Sequence, residues 1–155
     1  MSASQSVDNA LFWFRRDLRL SDNAGLYHAL KSAAHVHCVF VFDCDILDIL
    51  PNKADRRVEF IHGSVLELQQ SLRAAGGDLI VYQGSAGEVV PKLAKTLGVA
   101  AVFTNEDYEP AAIARDRAVE STLTKAGIAF HAFKDQVLFA KSEVHRSNIE
   151  RKYCL

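Results

Sequence analysis

The sequence has little that would tie it to a membrane, a metal or a polyanion. Its apolar runs fall well short of the roughly 20 residues that span a bilayer. Met1 to Ala10 has neither the basic start nor the apolar core of a signal peptide. Cysteine is scarce: Cys38, Cys44 and Cys154 make an odd number and include no Cys-x-x-Cys spacing. Neither a disulfide framework nor a zinc site is therefore indicated, and a reducing cytoplasm is the default setting. His35 and His37 share one face of a predicted strand, but a pair without a third ligand reads as ordinary half-buried histidine. The formal net charge of −1 argues against strong binding to nucleic acid by this segment alone, because phosphate neutralisation needs a basic surface. Internal repeats and low-complexity linkers are absent too.

What is present is an ordinary globular composition, 49% hydrophobic and 24% charged over 155 residues, enough for one domain with a proper core. Apolar runs alternate with helical patterns. Ala10–Phe14 reads as a buried strand, followed by a helix over Asn23–Ala33 with Ser21, Asp22 or Asn23 as its cap. His35–Asp43 is a second strand. Asp55–Ala75 is the clearest helix, because Val58, Ile61, Val65, Leu68 and Leu72 step by three and four into one stripe. Gly76 and Gly77 end it. Asp78–Tyr82 is a third strand, and Ser85 with Glu88 forms a capping box for a helix reaching Leu97. Val99–Thr104 is a fourth strand. Pro110 opens a helix running to Ala126, and Ile128–Phe133 is a fifth strand.

Strands separated by helices of this length predict an α/β fold, a doubly wound five-stranded parallel sheet of Rossmann-like type in the order 3-2-1-4-5. Such sheets bind ligands outside the carboxyl ends of the strands, where the strand order reverses. That rule selects the loops after strands one and four, Arg15–Asp22 and Asn105–Glu109. The first carries Arg15, Arg16 and Arg19; the second carries Glu106, Asp107 and Glu109. Two readings of the arginines stand: a solvated basic turn, or guanidinium groups that hold an anion or stack on a ring. The acidic loop likewise reads as a helix approach favoured by the dipole, or as acceptors for a heterocycle's N–H groups or a sugar's hydroxyls. Gly84-Ser85-Ala86-Gly87 matches neither phosphate-loop pattern, and Trp13 reads as a core anchor.

The run Leu11-Phe12-Trp13-Phe14-Arg15-Arg16-Asp17-Leu18-Arg19-Leu20-Ser21-Asp22-Asn23 resembles the opening signature of the photolyase/cryptochrome family. The resemblance continues through Val39–Asp43, Arg56–Leu72, Asn105–Arg117 and Ala140–Glu143. It implies that residues 8–140 form the light-harvesting antenna domain, with 141–155 a tail that does not follow the family. In that family an antenna chromophore passes excitation to FAD in a separate helical domain. The excited reduced flavin gives an electron to a pyrimidine dimer, the dimer splits and the electron returns. The FAD domain, and damaged DNA through it, are the implied partners, and no catalytic residue is expected in this chain. Positions where folate-binding members carry an Asn-Glu pair match Ala111 and Ala112, which disfavours folate. Asp107, Glu109 and Pro110 match the Asp-x-Glu-Pro pattern of members that bind a deazaflavin. The resemblance thus implies an 8-hydroxy-5-deazaflavin or a similar flavin such as FMN, held by Arg15, Arg16, Asp107 and Glu109. The expected whole is a deoxyribodipyrimidine photolyase cut off before its FAD domain. The alternatives are a cryptochrome-type or stand-alone chromophore-binding signalling module, and a small nucleotide-binding protein of universal-stress or electron-transfer-flavoprotein type. The last would need a phosphate-binding glycine loop that is missing here.

Overall fold

The apolar run at the head of the chain becomes the middle of the sheet. The computed structural model describes residues 7–47 and 56–135. In chain order the elements are β1 (Val7–Phe14), α1 (Ala24–Ser32), β2 (Ala33–Asp43), α2 (Cys44–Leu47), α3 (Arg56–Ala74), β3 (Leu79–Gly84), α4 (Ala86–Thr96), β4 (Ala101–Asn105), α5 (Pro110–Lys125) and β5 (Ala129–Phe133). The strands form one parallel sheet in the order β3-β2-β1-β4-β5, as the alternation of strands and helices predicts. A strand paired on both edges and covered on both faces needs apolar side chains at every position. β1 meets that demand: Ala10 to Phe14 are all buried, with Leu11 opposite His37 of β2 and Val102 of β4.

Alternation along β1 sends its side chains into two cores. Ala10, Phe12 and Phe14 join Leu26 and Ala29 of α1, Val65, Leu68 and Leu72 of α3, and Phe103 of β4. Leu11 and Trp13 join Val90 and Ala94 of α4 and Val119 and Leu123 of α5 on the opposite face. Each fully buried Leu or Phe contributes about 1.5–3 kcal/mol, so these two layers are the main source of stability. The α3 stripe lies as its spacing predicts, with Val65, Leu68 and Leu72 buried and Val58 and Ile61 half-buried. Its stop is a Schellman turn: the Gly77 amide donates to Leu72 O and the Gly76 amide to Arg73 O, with Gly76 at φ 87°.

Three local expectations need correction. The expected capping box does not form, because the Ser85 hydroxyl donates to Asp45 Oδ2 at 2.7 Å instead of turning back to its own helix. Asp43 supplies part of the missing cap, accepting from the Ala86 amide at 3.3 Å. The short helix α2 was not expected; one turn has too few residues to show a period. Cys38 is a core residue as expected, whereas Cys44 is only half-buried at the start of α2; Cys154 lies outside the described residues. His35 is exposed and His37 half-buried. Among the described residues no three His, Cys, Asp or Glu side chains gather to hold a metal, and no helix is long and apolar enough to cross a membrane.

Candidate functional site: a cleft at the reversal of strand order

β1 is flanked by β2 on one side and β4 on the other, so the polar loops after β1 and β4 leave the sheet where its order reverses. Asn105, the last residue of β4, is the hub between them. Its Oδ1 accepts from the Gly25 amide at 2.8 Å, and its Nδ2 donates to Asn23 Oδ1 at 3.0 Å and Asp17 Oδ2 at 3.3 Å. Asn23 caps α1 by accepting from the Leu26 amide at 3.0 Å. Arg19 donates to Asp135 Oδ2 at 2.7 Å and lies 3.2 Å from Asp17 Oδ1, while Asp135 Oδ1 accepts from the Ala24 amide. Burial alone would lower the Arg19 pKa, but the hydrogen bond and charge of Asp135, with those of Asp17, outweigh it and raise the value. Every polar side chain in this set is spent on another. A cavity of about 10 Å³ between the two loops has room for one water at most.

The other side of the same loops faces a cleft of about 1080 Å³. Its floor is the carboxyl ends of β1 and β2, lined by Trp13, Val41 and Phe42, and its walls include Ile46, Phe60, Ala111 and Ala112. Arg16, with 55% of its side chain exposed, reaches Glu109 Oε1 at 3.0 Å and Asp107 Oδ1 at 3.5 Å on the rim. Glu109 occupies the N-cap position of α5, yet its side chain makes no cap bond and turns to Arg16. The Asp107 side chain is only 9% exposed, and its carboxylate accepts from the Glu109 amide at 3.2 Å. These three residues therefore form a polar edge whose groups point toward the cleft as well as toward each other.

Arg15 is held differently. Its Nη1 donates to both carboxylate oxygens of Asp116 at 2.6 Å, and its Nη2 donates to the carbonyl of Asn105. With 8% of its side chain exposed, it forms part of the cleft's back wall. Its guanidinium carbon lies 5.0 Å from the Trp13 ring centroid, and that of Arg115 lies at the same distance. Arg115 Nη1 donates to Asp43 Oδ2 at 3.1 Å. Arg115 Nε is buried and sits 3.5 Å from Asp116 Oδ1, close enough for an ion pair but without a hydrogen bond.

The structure brings all four sequence-selected residues, Arg15, Arg16, Asp107 and Glu109, to one cleft. Sequence reasoning missed Asp43 and Arg115, which line it from β2 and α5, and Asp116 of α5, which holds Arg15 in place. Only Asp43 carried a local signal, as a charge closing an apolar strand. The volume suits a small-molecule site, and the lining combines apolar side chains with a few convergent polar groups. A planar heterocycle with polar edges fits this set of donors and acceptors.

Residues 10–153 match the family model described as DNA photolyase. A deoxyribodipyrimidine photo-lyase from a Synechococcus species is 40% identical over 134 residues, 86% of this chain and 28% of that protein. A cryptochrome DASH from Natronomonas pharaonis is 40% identical over 129 residues, 79% of this chain and 27% of that one. The crystal structure of the Sulfolobus tokodaii photolyase, described with two FAD molecules, superposes with a TM-score of 0.81 at 40% identity, covering 88% of this chain and 32% of that one. The chain thus spans about a third or less of the length of these three relatives. On the family match, the strand order and these likenesses, this chain belongs to the DNA photolyase family.

Proposed function

We propose that residues 8–140 form a light-harvesting antenna domain, and that the cleft over β1 and β2 binds its chromophore, an 8-hydroxy-5-deazaflavin or a similar flavin such as FMN. The observation that carries this reading is the convergence of Arg16, Asp107 and Glu109 on the rim of an apolar cleft at the strand-order reversal. A flavin-type ring has apolar faces and a polar edge, and the cleft offers both. Asp107 and Glu109 accept hydrogen bonds from ring or side-chain donors, and Arg16 donates to ring carbonyls or tail hydroxyls. Arg15, fixed by Asp116, holds the back wall in place. Ala111 and Ala112 line the cleft with methyl groups and give folate no side-chain hydrogen bond there, which supports a flavin-class ligand. The relative from Sulfolobus tokodaii, described with two FAD molecules and a light-harvesting cofactor, is consistent with that class.

When bound, such a ring supplies absorption of light and transfer of excitation. The chain's own residues bind it, orient its edge and keep water from its buried face. The activity of the whole family member, light-driven repair of pyrimidine dimers by FAD in a helical domain, is assigned to sequence outside these residues. The purified chain is expected to leave a thymine-dimer oligonucleotide unrepaired under blue light; repair by this chain would overturn the assignment. For the cleft, titration with FMN or the deazaflavin followed by fluorescence anisotropy should show saturable binding. Asp107→Ala should weaken it about tenfold, the scale of one lost hydrogen bond to a charged group. Equal binding by the variant would remove Asp107 from the site.

A further inference from the structure

Trp13 is the chain's single tryptophan. It is 2% exposed, yet it forms part of the cleft floor. An indole is among the side chains most easily stripped of one electron, and a photoexcited flavin-type ring is a strong one-electron oxidant. A bare indole beneath such a ring would drain its excited state before the energy could be passed on. Trp13 is not bare. The guanidinium carbons of Arg15 and Arg115 both lie 5.0 Å from its ring centroid. Cations at that distance stabilise the neutral, electron-rich indole and oppose the cation radical that loss of an electron creates.

Both arginines are fixed there. Arg15 is clamped by Asp116 and the Asn105 carbonyl, and Arg115 by Asp43. Arg115 keeps this place although its buried Nε has no hydrogen-bond acceptor among the described residues. The carboxylates offset part of the field, so the net effect is modest, but the cations are the charges stacked on the ring.

We propose that Arg15 and Arg115 shield Trp13 from oxidation, so that a light-absorbing ring bound in the cleft retains its excited state. This rests on the flavin-class reading of the cleft. The step held back is transfer of one electron from the indole to the excited ring, leaving an indole cation radical and a one-electron-reduced ring; no proton moves and no other reactant takes part. Arg15 and Arg115 are positioning residues in this scheme.

The test uses the full chain with FMN as the probe, reading the fluorescence lifetime of the bound fraction. Arg115→Gln should shorten that lifetime, Arg115→Lys should recover part of it, and Arg115→Gln in a Trp13→Phe background should match Trp13→Phe alone. Where Arg115→Gln does not fold, Arg115→Lys carries the same comparison, with a smaller shortening that is again lost in the Trp13→Phe background. An unchanged lifetime in the Arg115 variants, or a shortening that persists without Trp13, would each overturn the shielding. If neither FMN nor the deazaflavin binds, the flavin-class reading fails by itself. Shielding is then decided on the ligand-free chain, by electron exchange between the Trp13 radical and a soluble mediator after pulse radiolysis. The expected result is an equilibrium constant about tenfold more favourable to oxidation in Arg115→Gln; equal constants would overturn it.

Discussion

The two sides of the loops after β1 and β4 use the same residue types to opposite ends. Toward α1, Asn105, Asn23, Asp17, Arg19 and Asp135 satisfy one another and the first amides of the helix. Toward α5, Arg16, Asp107 and Glu109 hold one another across the rim of a large cleft, and Arg115 is left with an unused donor. A polar cluster closed on itself contributes rigidity, because each group would be costly to bury alone. One with spare valence at a cavity is available to a ligand. The seven-residue run from Phe14 to Leu20 supplies both, Arg19 to the closed side, Arg15 and Arg16 to the open one.

The comparison breaks most visibly at its hub. Asn105→Ala removes two buried hydrogen bonds and one half-buried one and strands the Gly25 amide, so thermal or urea unfolding should show a loss of about 3 kcal/mol. A result under about 0.5 kcal/mol, the scale of ordinary surface changes, would mean the closed side is not structural. Gly25→Ala attacks the same hub by volume. A Cβ there would stand 2.6 Å from Asn105 Oδ1, 2.9 Å from the Phe12 ring and 3.0 Å from the Thr104 carbonyl. The expected cost is about 1–3 kcal/mol by the same measurements.

The open side should respond in the other way. Arg16→Gln, at an exposed rim position, is expected to shift stability by no more than about 0.5 kcal/mol while weakening FMN binding in the anisotropy titration. A large loss of stability with binding intact would reverse the roles assigned to the two sides. Two pH effects, smaller under ordinary conditions, calibrate the background. Burial pushes the Cys38 thiol up to about 11, above its ordinary 9.0, so the unfolded chain loses that proton first. The resulting stability is present in full below pH 9 and declines as pH rises toward 11. In the folded protein at pH 9, iodoacetamide should therefore modify Cys44 well before Cys38, as peptide masses would show. At the acid end, the Leu79 amide and the Arg73 guanidinium hold the Asp78 carboxyl below its ordinary 3.8. Its contribution is present above that value and lost as pH falls through the lower folded one, so Asp78→Asn should slightly flatten the melting curve's dependence on pH there.

The sheet and its order were legible because they rest on strong local patterns: five apolar runs, a stripe at three-and-four spacing over Val65–Leu72, and helix stops at glycine. The topological rule then placed the cleft without any side chain being known. What was not legible depends on partners far apart in the chain. Ser85 looks like a cap until Asp45, on a one-turn helix, competes for its hydroxyl. Arg115 and Asp116 look like ordinary helix-surface charges; only the packing of α5 against β1 brings them to Trp13, Arg15 and Asp43. Arg15 and Arg16 are neighbours of identical type, and nothing local says that one is walled in and the other reaches the rim.

The tie between Asp135 and the Ala24 amide has a further consequence for how the polypeptide is routed. β5 runs parallel to β1, so its far end emerges at the same pole of the sheet as the cleft, and Arg19 and Ala24 fasten it there two residues later. The backbone therefore departs from a tethered point rather than a loose one.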